Sequence, residues 1–208
     1  VTVTVTPPAA SARTPPPGYT ASARALTAAE QKAMTGVSWH PGCPVPLTDL
    51  RRLTVSYVGF DGATRTGALV VHAAAVDPLS RVFADLFEAR FPIRTMQPIE
   101  AYGGDDYRSI EADNTSAFNC RIRTGTANEW SRHSYGMAVD LNPLENPYVS
   151  GGTTSHPRSR SYLDRGQVRP GMITPDSVPV AAFSAIGWRW GGTWPDPVDL
   201  QHFSDTGR

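Results

Sequence analysis

Two short stretches hold the residue types that bind cations and move protons. The first reads Ser131-Arg132-His133-Ser134-Tyr135-Gly136-Met137-Ala138-Val139-Asp140-Leu141-Asn142, and the second Asp199-Leu200-Gln201-His202-Phe203. If 137–141 is a strand, Met137, Val139 and Leu141 share one face, and Ala138, Asp140 and Asn142 share the other. Asp140 is then the one charge this strand presents, and Gly136 gives the backbone freedom to bring His133 to the same side. A neutral imidazole beside a carboxylate suits a divalent cation such as Zn2+. The same spacing fits a His–Asp hydrogen bond with no metal, and by itself it leaves both readings open.

His202 offers a third ligand from a distant segment. Three protein ligands leave one coordination position for water, which separates catalytic from structural zinc. Asp199, three residues before His202, is suited to accept a proton from that water. Taken alone, the second stretch is also an ordinary polar turn near a chain end. The other histidines carry less. His40 lies in a Pro-rich loop, His72 at a strand end, and His156 in a Ser- and Gly-rich loop expected to be exposed.

Patterning indicates the elements that must position these groups. Thr27-Ala28-Ala29-Glu30 has the form of a capping box, opening a short helix closed by Gly36. The runs 53–60 and 65–72 flank Asp61-Gly62, a hairpin signal. Asp77-Pro78 reads as N-cap and first helical residue, and Leu79, Val82, Phe83, Leu86 and Phe87 form one apolar helical face. A short strand over 93–99, a polar loop over 102–109, a long loop over 150–175 and a helix over 177–186 complete the reading. Asp105 and Asp106 are expected to be solvated in their loop. Strands and helices intersperse without a βαβ repeat or a phosphate-binding loop, which predicts an α+β fold with a central antiparallel sheet flanked by helices.

Residues 1–25 open on VTVTVT, a strand-prone run, and continue as a Pro, Ala, Ser and Thr mixture. They read as a flexible stalk. Residues 26–208 read as a single domain, and 208 residues suffice for that and a proper core. Acidic and basic residues balance at 19 each, so no global field recruits nucleic acid or an acidic membrane. No apolar run of about 18 residues is present to span a bilayer. Val1 opens no basic and apolar leader, and a secretory signal already removed fits that start. Cys43 and Cys120 are either two buried thiols or one disulfide. The bridge is the preferred reading, and it requires an oxidising compartment.

Together, SRHSYGMAVDLNP and the ending WGGTW…DLQHFS resemble the paired motifs of the zinc D-alanyl-D-alanine metallocarboxypeptidases. These are the VanY-like members of the group that includes lysostaphin and Hedgehog-type zinc domains. SAFNCR, NPLENPYV and FPI extend the resemblance over roughly residues 37–205. It implies a Hedgehog- or D,D-peptidase-like domain with His133, Asp140 and His202 as zinc ligands. It also implies Asp199 as general base, Arg121 as the arginine that polarises substrate, and Ser131, Ser116 and Asn119 as substrate contacts. Arg123 and Arg94 are the alternatives to Arg121. The implied substrate is a peptidoglycan stem peptide met outside the cell or at the wall by a secreted monomer, with the N-terminal stalk as an optional tether. The best-known carboxypeptidases carry Glu where this chain has Asp199, while endopeptidase-like relatives carry Asp. The implied activity is therefore removal of a terminal D-Ala, or else cleavage within the stem or cross-bridge. A zinc domain that binds wall peptide without cleaving it is a further reading.

Overall fold

The computed structural model describes residues 14–207. The strand expectation for VTVTVT lies outside those residues. The chain is α+β. Strand β1 (Ala21–Ala25) precedes helix α1 (Ala28–Met34), and β2 (Leu50–Val58) and β3 (Thr64–His72) precede helix α2 (Val76–Glu88). Short elements follow: β4 (Thr95–Met96), α3 (Asp106–Glu111), β5 (Asn114–Thr115), β6 (Ala138–Asp140) and β7 (Tyr148–Val149). Helix α4 (Val178–Ala185) leads into β8 (Arg189–Trp190), β9 (Val198–Asp199) and β10 (His202–Ser204).

One central sheet was expected; the strands instead divide into two antiparallel three-stranded sheets, β1-β2-β3 and β6-β10-β8, with small pairs beside them. The β2–β3 hairpin runs in register from Leu50↔His72 to Val58↔Thr64, around the expected Asp61-Gly62 turn. Asp61 secures that turn by accepting from the Ala63 amide at 3.1 Å and pairing with Arg65. One face of this hairpin, through Leu53, Val55, Leu69 and Val71, packs on Leu79, Val82, Phe83 and Leu86 of α2. The same core takes in Val139, Trp190 and Phe203 of the second sheet. Phe183 of α4 joins the layers, stacked on Phe203 at 4.0 Å between ring centroids. A second apolar cluster gathers Met34, Leu50, Val70, Phe118 and Cys120. It sits beside the Cys43–Cys120 disulfide.

Several expectations need correction. The stalk does not extend to residue 25, because Ala21–Ala25 pairs antiparallel with Arg51–Val55. Tyr19 is already buried, its hydroxyl donating to the Ser80 carbonyl at 2.7 Å. An edge strand made of Ala, Ser and Arg with every side chain exposed has no hydrophobic alternation to announce it. The capping box at Thr27 and Glu30 forms as expected. Helix α2, however, starts at Val76 with Ala75 as its N-cap, so Asp77 lies inside the first turn. There its charge faces the positive end of the helix dipole. The strand expected over 93–99 shrinks to Thr95–Met96, which pairs in parallel with β5. The polar loop over 102–109 contains the start of α3, with Asp105 as its N-cap accepting from the Arg108 amide at 3.2 Å. The disulfide is formed, and no described helix is long and apolar enough to cross a membrane.

Candidate active site

Asp140 and His202 meet because β6 and β10 pair antiparallel with Asp140 directly opposite His202. In the same register Phe203 lies opposite Val139 in the core. The alternation that buries one face therefore aims the polar pair at the other. His133 arrives from a 3-10 turn, Arg132–Tyr135. Ser131 caps it by accepting from the His133 amide at 3.3 Å, and Gly136 ends it with φ 64°. A side chain at Gly136 would also put a Cβ 2.5 Å from the His72 nitrogen, so both conformation and space require glycine there. Arg132 ties this turn to the end of the chain through Nε to Asp205 Oδ1 at 2.8 Å and Nη2 to Oδ2 at 2.5 Å.

The three side chains converge. His133 Nε2 is 3.1 Å from Asp140 Oδ2, His202 Nδ1 is 3.0 Å from Asp140 Oδ1, and the two ring nitrogens are 3.2 Å apart. His133 and His202 are buried and Asp140 nearly so. His133 Nδ1 faces the Ala117 carbonyl at 2.5 Å, and a carbonyl can only accept, so Nδ1 carries the proton. That contact orients the ring and turns Nε2 inward, as the outer partners of metal-binding histidines do. Burial works to raise the Asp140 carboxyl, but His133 and His202 outweigh it and hold it well below the usual carboxylate range. Burial likewise opposes charge on His133, yet Asp140 prevails and the ring's pKa lies above its ordinary value. The centre thus attracts positive charge, whether a proton or a cation. Two imidazoles and a carboxylate are a donor set that suits a divalent ion such as zinc.

Asp199 stands on β9, opposite Tyr148 of β7. Burial first, then the negative charge of Asp140, push its carboxyl up to about 6. Its Oδ1 and His202 Nε2 are buried without a protein hydrogen-bond partner, and both residues line a cavity of about 590 Å³. Polar groups left this way face whatever enters the cavity. Gly191 lets the preceding turn close over this corner, since a Cβ there would lie 2.6 Å from the Asp199 carbonyl oxygen. Trp190 Nε1 donates to the Leu200 carbonyl at 2.8 Å and fixes the stretch between Asp199 and His202.

Ser116, Ser131 and Arg121 line the cavity beside His133, Asp140, Asp199 and His202. The backbones of Ser116 and Asp140 exchange hydrogen bonds of 3.0 and 2.9 Å. Asn119 is not among the lining residues; its amide donates to Asp106 Oδ1 at 2.7 Å. Of the alternative arginines, Arg123 lines the cavity, whereas Arg94 lies away from it, over the Phe60 ring and beside Asp113. His156 is buried rather than exposed as expected, its Nδ1 2.8 Å from Glu111 Oε1 and its ring stacked on Tyr107. His156, Tyr107, Tyr148, Trp194 and Gln201 all line the cavity and were not singled out as site residues from sequence. Trp194 closes the stretch WGGTW five residues before Asp199, and that proximity was the one available signal. Nothing near Tyr107 or His156 in the chain points to the site.

Residues 124–205 match the profile of a peptidase M15 family described as D-alanyl-D-alanine carboxypeptidase. The matched segment contains Ser131, His133, Asp140, Asp199 and His202, while Ser116, Asn119 and Arg121 precede it. It begins well after residue 37, where the resemblance by motif starts. No curated protein and no solved structure gives a match. The match supports, over that segment, the family that the motifs resemble, and with it a metallopeptidase.

Proposed function

We propose that this protein is a zinc metallopeptidase that hydrolyses a peptidoglycan stem peptide, removing a terminal D-alanine. The family match over 124–205 supplies the peptidase class. The observation that carries the rest is the convergence of His133, Asp140 and His202, with the raised carboxyl of Asp199 in the same cavity. A zinc ion held by those three residues would supply Lewis acidity toward the peptide carbonyl and lower the pKa of water.

The chain's own groups do the remainder. Asp199, whose carboxyl burial and then the charge of Asp140 push up to about 6, accepts the proton of the attacking water and returns it to the leaving amine. Arg121, on the cavity wall, donates to the carbonyl oxygen as negative charge grows there. The Ala117 carbonyl keeps the His133 ring aligned throughout. Ser116 and Ser131 offer hydroxyls to the peptide backbone, and Asn119 acts behind the wall rather than on substrate. The formed disulfide fits an oxidising location such as the cell wall or the medium.

One observation favours a second reading. Asp199 is the shorter acid, used at this position by endopeptidase-like relatives, so cleavage inside the stem or cross-bridge is the alternative. Incubation of the zinc-loaded protein with a defined pentapeptide stem and with cross-linked muropeptides, followed by mass spectrometry, separates the two. Loss of one alanine from the pentapeptide is the expected product. Cleavage of internal bonds alone selects the endopeptidase, and intact peptides in every digest overturn the peptidase proposal.

A further inference from the structure

Asp106 was expected to be a solvated loop residue, yet it stands on α3 in contact with Arg121. Its Oδ2 forms an ion pair with Arg121 Nε. Its Oδ1 accepts from Asn119 Nδ2 at 2.7 Å, and that same amide reaches the Gly104 carbonyl at 3.4 Å. Asn119 is buried, and its own backbone amide donates to the His133 carbonyl at 3.3 Å. The carboxylate is thus clamped from behind by a residue anchored to the metal-ligand turn. Asp106 and Arg121 both line the cavity and are each about one-third exposed, at 37% and 33%. Ser134 Oγ further accepts from the Arg121 amide at 2.9 Å and donates to its carbonyl at 2.8 Å, so the backbone is held as well. A long, flexible guanidinium side chain is useful in a transition state only if its direction is set beforehand. An ion pair through Nε sets that direction and leaves the two Nη groups for a ligand.

We propose that Asp106, held by Asn119, is a positioning residue that orients Arg121 toward the reacting carbonyl. This rests on the peptidase reading, in which Arg121 stabilises the developing negative charge. A misplacement of about 1 Å in such a group costs up to roughly 100-fold in rate. Asp106→Asn keeps the size and the acceptor for Asn119 but removes the charge that Arg121 Nε meets.

The test has two arms on the full chain. In 15N NMR, the Arg121 Nε–H signal of the wild type is expected to be protected from exchange, and Asp106→Asn is expected to shift it and remove that protection. In kinetics on the stem peptide with zinc loaded, Asp106→Asn should lower kcat about 10- to 100-fold with little change in KM. Metal content should not change, and Asp106→Glu should recover part of the loss. In an Arg121→Ala background the Asp106→Asn change should cost nothing further. If Asp106→Asn also lowers the melting temperature, that background still decides, because a folding defect adds to the Arg121→Ala loss and an orienting defect does not. An unmoved Arg121 signal, or a full additional loss in the double variant, overturns the positioning role while leaving the peptidase reading intact. A wild type that cleaves no peptide sinks the peptidase reading, and the NMR arm then still reports whether Asp106 holds Arg121.

Discussion

If His133, Asp140 and His202 hold the metal and Asp199 is the base, as proposed, single substitutions should separate their tasks. His133→Ala and His202→Ala each remove a donor from a set of three, so both variants are expected to lose bound zinc on elemental analysis. Asp199→Ala removes a proton acceptor and no ligand. It should keep its zinc and lose about 10²- to 10⁴-fold in turnover. A fully active Asp199→Ala enzyme removes the base assignment. His133, Asp140 and His202 were candidates in the chain through the resemblance of its two motifs to a zinc peptidase pair, and the structure brings the three side chains together. Asp106 and His156 were not legible. Their partners, Arg121 for one and Glu111 for the other, lie far away in sequence and carry no pattern of their own.

At the scale of elements, the pairing of β6 with β10 decides the site, and the turn before β9 holds Asp199 in reach. Gly191 packs so closely that an added methyl must displace the Asp199 backbone. Gly191→Ala is expected to cost about 1–3 kcal/mol in denaturant unfolding, the usual range for overpacking. It should also lower turnover more than zinc content, and unchanged stability and turnover would show that the strand shifts without consequence. The β2–β3 hairpin and α2 were legible, since both present strong periodic apolar faces and the turn between the strands has its own chemistry. The short strands β4 to β10 were mostly not. A two- or three-residue strand is defined by its hydrogen-bonded neighbour, and the neighbour is unknown until the chain has folded.

For the whole molecule, two features link stability to conditions. The Cys43–Cys120 bridge closes a long loop, with a sequence separation of 77. Replacing both cysteines by serine should lower the unfolding free energy by about 2–4 kcal/mol, read from chemical denaturation. An unchanged midpoint would mean that the packing around the bridge holds the two segments alone. Glu145 is the second feature. Burial, together with its hydrogen bond to Asp113 and the charge there, pushes its carboxyl up to about 8. The folded state therefore binds this proton more tightly than the unfolded state. Its contribution to stability is complete below the ordinary glutamate range and is lost as pH rises from about 4.5 through about 8. Melting temperatures between pH 5 and 8.5 should fall more steeply for the wild type than for Glu145→Gln. Parallel profiles would mean that Glu145 is ionised in the folded protein.

The sequence alone determined the α+β class, the long hairpin, the amphipathic helix, the pairing option of the two cysteines and the three candidate metal ligands. The class, the hairpin and the helix are written in local periodicity and turn chemistry, whereas the cysteine pairing option follows from their number and the ligand set from the resemblance of two separated motifs. Only the tertiary structure decided that the strands split into two sheets and that Tyr19 and the strand after it pack onto the domain. It alone put Asp106 behind Arg121 and buried His156 against Glu111. Those outcomes depend on which distant polar groups meet as the core closes, and a polar residue in a loop shows no periodicity to foretell its partner.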